Sequence, residues 1–181
     1  MAVRKDAGLA LARFCVAIDD RFPALSGPRT VWTTGRIALD PGAPSVIPGR
    51  AEMTFQIRDE DPAVIARLED LLRTMAAEVT ARGRCSVTVE RTRTGAPAMM
   101  DSTFQDAIEA ASATLAGGRS IRMPSGAGHD AQILATIMPA GMLFVPSIGG
   151  ISHHWNENTS DADIVTGVEV FVDACRRILD R

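Results

Sequence analysis

Two strand-like runs, "TVWTTGRIAL" (30–39) and "AEMTFQIR" (51–58), are joined by "DPGAPSVIPG", a loop whose prolines cannot sit inside a central strand. This pair constrains the fold more than any other feature. In the second run Ala51, Met53, Phe55 and Ile57 alternate with Glu52, Thr54, Gln56 and Arg58, so one face is core and Arg58 points the other way. A sheet with one apolar face needs helices to cover it, and the flanking segments supply them.

Upstream, Ala7, Ala10, Leu11, Phe14, Cys15 and Ile18 fall on one helical face until "RFP" stops the pattern. "MAVRKDAG" enters that pattern at once and reads as lacking a capping residue, as expected of a chain that begins inside a larger architecture. Downstream, Val64, Ile65, Leu68, Leu71, Leu72, Met75 and Val79 form an apolar stripe, with Pro62 near its first turn and Gly83 just past its end. A third strand is expected in "RCSVTVER", where Cys85, Val87 and Val89 alternate with Ser86, Thr88 and Glu90. Residues 1–95 therefore read as an α+β domain with helices on one face of an antiparallel sheet, ending near "TGAPA".

Residues 96–181 have a different pattern. "DSTFQDAIEAASATLAGG" is a helix with Ser102 and Gln105 placed as a capping box. "SGAGHDAQILATI" is a Gly-rich turn feeding a helix, with Asp130 as its expected cap, and "GMLFVP" has the continuous apolar character of a strand buried on both faces. Ser160 and Asp163 bracket a last helix expected to carry Ile164, Val168, Phe171, Cys175 and Ile178 inward. This is an α/β layout with too few strands, because a buried strand needs neighbours on both edges.

The chain carries a net charge of −3, has no Tyr and two Trp, and shows no basic stripe with interleaved aromatics. Nucleic acid is not an expected partner. No apolar run approaches the ~20 residues of a membrane-spanning helix, and the N-terminus has no apolar signal core, so the expectation is a cytoplasmic protein that does not meet the membrane. Cys15, Cys85 and Cys175 lie far apart in apolar periodic segments and read as buried thiols rather than a disulfide framework or zinc cluster.

Chemistry concentrates in "GGISHHWNE" (149–157), which holds two of the three histidines and an acid four residues past the first. Neighbouring residues of an extended segment point to opposite sides, so at most one of His153 and His154 serves one ion. Metal ligation and ordinary surface hydrogen bonding are both open at this point. His129 lies in a Gly-rich turn before a helix, a place that favours a bound anion. Arg58 is either a solvated strand-end charge or a planar fork for a substrate carboxylate.

"RKDAGLALARF", "TTGRIALDPGAPSVIPGRAEMTFQIRDED", "SGAGHDAQILATIMPAGMLFVPSIGGISHHWNE" and "DADIVTGVEVF" together resemble the C-terminal part of the M20-type metal-dependent amidohydrolases. The most similar branch is the group of N-carbamoyl-L-amino acid hydrolases, β-ureidopropionases and allantoate amidohydrolases. The resemblance covers essentially the whole chain. It implies a lid and dimerisation domain in residues 1–95 lacking its first strand, then an incomplete catalytic-domain segment in 96–181. It further implies a divalent metal, zinc or manganese, in the intact enzyme, held weakly or not at all by this chain alone. A small-molecule carboxylate substrate and a homodimer follow from the same likeness.

Matched residue by residue, His153 corresponds to the last metal ligand, His129 to a substrate-contacting histidine and Arg58 to the arginine that holds the substrate carboxylate. Ser45, in "SVIPG", stands where the group usually has a substrate-contacting Asn, and the shorter hydroxyl loses reach and a hydrogen-bonding group. The other metal ligands, the glutamate general base and the lid histidine have no counterpart here. The expectation is a fragment that is inactive alone, with a non-catalytic dimerisation module as the rival and a carboxylate-binding protein as a third reading.

Overall fold

The computed structural model describes residues 1, 3–93 and 95–180. It divides into two compact units, Met1–Pro97 and Ala98–Arg181. Together they make a mixed α/β chain with one small two-stranded antiparallel sheet. Thr94, in the stretch where the first half was expected to end, lies outside the described residues.

The first unit contains α1 (Ala7–Arg21), a 3₁₀ turn (Phe22–Ala24), β1 (Val31–Asp40), β2 (Arg50–Arg58) and α2 (Pro62–Arg82). α1 does have a cap, contrary to expectation: the Asp6 carboxylate accepts the Leu9 N–H at 2.8 Å. An aspartate so placed satisfies one of the helix's orphan donors, and the Ala7 N–H finds the Pro48 carbonyl at 3.0 Å. Asp61 caps α2 in the same way, accepting from Ala63 at 2.8 Å.

β1 pairs antiparallel with β2, from Val31 opposite Arg58 to Asp40 opposite Arg50, with an irregularity between Thr34 and Arg36. The extra residue is Gly35. Trp32 and Ile37 are five apart and would face opposite sides of a regular strand, but the bulge sets them opposite Ile57 and Met53, on one face. That face joins a core in which Phe14, Ile18, Phe22, Val64, Leu68 and Met75 are buried.

The expected third strand does not form a ladder. Residues 85–91 form no regular element; Val87 and Val89 do pack on the core, but among the described residues no backbone hydrogen bond joins 85–91 to a neighbouring strand. The segment is tied to α2 by side chains instead: Thr80 Oγ1 accepts the Val87 N–H at 2.9 Å and Arg73 donates to the Val89 carbonyl at 3.1 Å. Periodicity identified the apolar face correctly and could not supply a neighbouring strand.

The second unit contains α3 (Ser102–Leu115), α4 (Asp130–Leu134), a 3₁₀ turn (Ile148–Gly150) and α5 (Asp161–Leu179). α3 is capped by Asp101, whose side chain accepts from Phe104 at 3.1 Å, and not by the expected Ser102–Gln105 box. Gln105 donates to the Met100 carbonyl and accepts from Arg122. Ser160 caps α5 as expected, exchanging hydrogen bonds with Asp163 at 3.1 and 2.6 Å.

α3 and α5 meet through small side chains, with Ala107 and Ala111 buried against Val170 and Ala174. The stripe expected to face inward is largely outside: Ile164, Val168 and Phe171 are 46–59% exposed. Alanines at the contact let the two helices approach closely on the Val170 side, which leaves the bulkier stripe uncovered. The three cysteines are free and only half-buried, not the sequestered thiols expected. Burial raises the Cys15 thiol above its ordinary range.

"GMLFVP" is likewise not a strand. It lies across both helices: Gly141 sits against Phe104 of α3, and Val145 presses on Gly167 of α5 so closely that a Cβ there would collide with it. Among the described residues, 141–146 make no backbone hydrogen bond. Amide exchange provides the check. The Met142, Leu143, Phe144 and Val145 amides should exchange at near-unprotected rates while the interior of α3 is protected; slow exchange at all four would mean that a strand partner exists in solution.

Candidate functional site

His129 is the best-defined polar residue in the second unit. "SGAG" brings the chain round so that Ser125, four residues earlier, faces the ring, and Ser125 Oγ lies 2.6 Å from His129 Nε2. The same oxygen accepts the Ala127 N–H at 3.3 Å. Phe144 packs on the imidazole with ring centroids 5.4 Å apart and a 59° tilt. His129 itself, not the expected Asp130, occupies the N-cap of α4, with extended backbone and no side-chain cap bond. Asp130 is the first residue of the helix and exposed, where its charge complements the helix dipole.

The histidine loop is closed by a backbone bond from Ile148 N–H to the Asn158 carbonyl at 2.7 Å. Three residues within it are left-handed: Gly149 and Gly150 at φ 69° and His153 at φ 55°. Glycine adopts this region freely, whereas a histidine needs its surroundings to hold it there. Glu157 does so, its carboxylate accepting the His153 N–H at 2.7 Å. The segment is thus bent at His153, not extended, and the two histidines are set apart by their partners. His154 Nδ1 accepts the Asn156 N–H at 3.2 Å and its ring packs on Trp155. The His153 ring, exposed, has no hydrogen bond among the described residues.

In the first unit Arg58 ends β2, half-buried and paired in the ladder with Val31. Asp59, the next residue, is held by the Thr30 hydroxyl and accepts the Asp61 N–H at 2.8 Å, which anchors the strand end before α2 begins. Ser45 is exposed in the loop between β1 and β2, within a turn closed by Val46 N–H to the Ala43 carbonyl at 3.2 Å. Arg58 and Ser45 belong to one unit, His129 and His153 to the other. Within the second unit no hydrogen bond joins His129 to His153.

Reasoning from sequence passed over Ser125 and left Glu157 without a role. Their only signal was spacing: Ser125 precedes His129 by four residues, and Glu157 follows His153 by four. Among the described residues no group of three or more His, Cys, Asp or Glu side chains is placed to hold a metal. A catalytic ion takes about three protein ligands, so His153 does not by itself fit one. The geometry of the second unit leaves one imidazole anchored at a single nitrogen, that of His129.

A profile of the peptidase family M20/M25/M40 matches residues 10–177. An N-carbamoyl-L-amino-acid amidohydrolase of Paenarthrobacter aurescens is 34% identical over 182 aligned residues, covering 100% of this chain and 43% of the relative. An allantoate amidohydrolase of Bacillus subtilis is 36% identical over 143 residues, 78% of this chain and 34% of the relative. Among solved structures, an amidase of the hydantoinase/carbamoylase family from Burkholderia phymatum superposes with a TM-score of 0.86 at 41% identity, covering 98% of this chain and 43% of that one. The chain therefore spans less than half the length of the relatives it matches.

Proposed function

Since this chain belongs to peptidase family M20/M25/M40, we propose that it is the substrate-recognising part of a metal-dependent amidohydrolase that cleaves a linear carbamoyl or ureido C–N bond. The observation that carries this reading is the 41% identity to the Burkholderia phymatum amidase along 98% of the chain. Arg58 binds the substrate carboxylate through its planar fork. His129 hydrogen-bonds a substrate oxygen, and Ser45 approaches the substrate from the loop between β1 and β2. His153 contributes one metal ligand; the remaining ligands and the general base come from residues outside this sequence, and no step of the hydrolysis is carried by these 181 residues alone.

In the same proposal residues 1–95 are a lid and dimerisation domain and 96–181 a segment of the catalytic domain. Residues 85–91 and 141–146 then become ladder strands in the complete enzyme, which accounts for their strand-like patterning without strand partners here. The substrate class, an N-carbamoyl amino acid or allantoate, follows the names of the relatives.

Reconstitution tests the reading. The 181-residue chain alone should neither bind zinc or manganese tightly in calorimetric titration nor hydrolyse an N-carbamoyl-L-amino acid or allantoate. Adding the segment of the Paenarthrobacter aurescens enzyme that this chain does not match should produce metal-dependent hydrolysis that His153→Ala abolishes. Turnover by the chain alone, or tight metal binding lost in His153→Ala without any added segment, would overturn the division of labour. Self-association with no activity after mixing would favour a dimerisation module.

A further inference from the structure

We infer that Ser125 is a positioning residue that fixes His129 as the tautomer protonated on Nδ1, making the ring's other nitrogen a hydrogen-bond donor to a ligand oxygen. The tautomer follows from the hydrogen bonds alone; the use made of it rests on the reading of His129 as a substrate-contacting residue.

A serine hydroxyl has one proton and two lone pairs. One lone pair of Ser125 Oγ takes the Ala127 N–H at 3.3 Å. Its other close partner is His129 Nε2, at 2.6 Å, which can take the hydroxyl proton. Donation from Ser125 requires Nε2 to be the unprotonated nitrogen, which puts the proton of the neutral ring on Nδ1. The reverse arrangement, Nε2–H donating to Oγ, leaves the serine proton without an acceptor in a half-buried turn, and burying an unmade donor is costly. Phe144 packs against the imidazole and opposes a ring flip that would exchange the two nitrogens.

The consequence is specific. Among the described residues Nδ1–H makes no hydrogen bond, so it faces outward as a donor. The ring presents an N–H donor. A ligand oxygen with a free lone pair, such as a carbonyl or carboxylate, satisfies it; a group that only donates, such as an ammonium, does not. Ser125 acts on the ligand only through the histidine.

The test is nuclear magnetic resonance on the 15N-labelled chain in alkaline solution, where imidazoles are neutral, reading long-range proton–nitrogen correlations. The His129 peaks are identified by their loss in His129→Gln. The wild-type chain should show a pyrrole-type Nδ1 and a pyridine-type Nε2. Ser125→Ala should shift the population towards the Nε2–H form that free imidazole side chains prefer in water, and Ser125→Thr, which keeps the hydroxyl, should restore the wild-type pattern. A wild-type ring protonated mainly on Nε2 overturns the inference without any variant, so a poorly folding Ser125→Ala cannot shelter it. An unchanged tautomer in a folded Ser125→Ala overturns it as well. No substrate or turnover is involved, so this failure is distinct from a failed reconstitution, which bears on the hydrolase reading.

Discussion

Replacing Arg58 by alanine in an active assembly containing this chain should lower kcat/KM for a carboxylate-bearing N-carbamoyl amino acid by about 10²–10³-fold. A hydrogen bond to a charged group contributes roughly 1.5–3 kcal/mol, and a guanidinium fork makes two to one carboxylate. Allowing for water that replaces part of the loss, about 3–4 kcal/mol remains, and each 1.4 kcal/mol is tenfold. Arg58→Lys should recover little, because an ammonium is a point charge that cannot match the planar pair of oxygens. The fold should barely respond. Arg58 closes β2 on the half-exposed side of the ladder, so truncation should change stability by no more than about 1 kcal/mol. An amide analogue of the substrate, lacking the carboxylate charge, should discriminate much less between wild type and variant. A large drop in melting temperature with unaltered kinetics would instead make Arg58 a structural residue.

Why some of this was legible in the sequence, and some not, comes down to which interactions are local. Met53, Phe55 and Ile57 alternate in the sequence and pack together in the core, because strand period is a property of the backbone itself. Leu68, Leu72 and Met75 behave likewise at helical spacing. The same patterns in 85–91 and 141–146 identify apolar faces but say nothing about a partner along the hydrogen-bonding edge, and there the expected strands are absent from the ladder. Caps fell between the two cases. Asp6 and Asp101 are strong N-cap residue types standing directly before their helices, so these caps were legible in "MAVRKDAG" and "MMDSTF", but the first was passed over and the second assigned to Ser102.

The candidate site shows the same division. Arg58, His129 and His153 could be singled out by residue type and surrounding motif, but what surrounds them could not. Ser125 reaches His129 only because the glycine-containing turn folds back, and Glu157 reaches the His153 amide only because that residue is left-handed. α5 is the sharpest mismatch. Its helix carries two apolar stripes, and sequence alone could not say that the Val170–Ala174 side, with its smaller contact, would win α3.

The second large effect is on the core of the first unit, and Phe22 is where it should be greatest. Phe22 is fully buried in the 3₁₀ turn that carries the chain from α1 towards β1. Its ring meets Trp32 of β1 and Phe55 of β2 edge-on, each at 5.6 Å between centroids. One side chain thus joins the helical layer to both strands. Phe→Ala at a buried site costs about 3–5 kcal/mol through lost transfer energy and the cavity left behind. The upper half of that range is expected here, since edge-to-face pairs add about 0.5–1.5 kcal/mol beyond area burial and two would be lost. Against a total stability of about 5–15 kcal/mol for a domain, that is a major fraction. A unit of this size shifts by about 4–8 °C per kcal/mol, so the melting transition should fall by roughly 16–40 °C. Phe22→Leu, which keeps most of the volume, should lose much less, and Val16→Ala on the exposed side of α1 should lose almost nothing. Thermal unfolding followed by near-ultraviolet circular dichroism reads the packed Trp32, with the exposed Trp155 as background. A Phe22→Ala chain melting within a few degrees of wild type would mean that the two-stranded sheet and α1 are held together elsewhere, and that the aromatic contact only fills space.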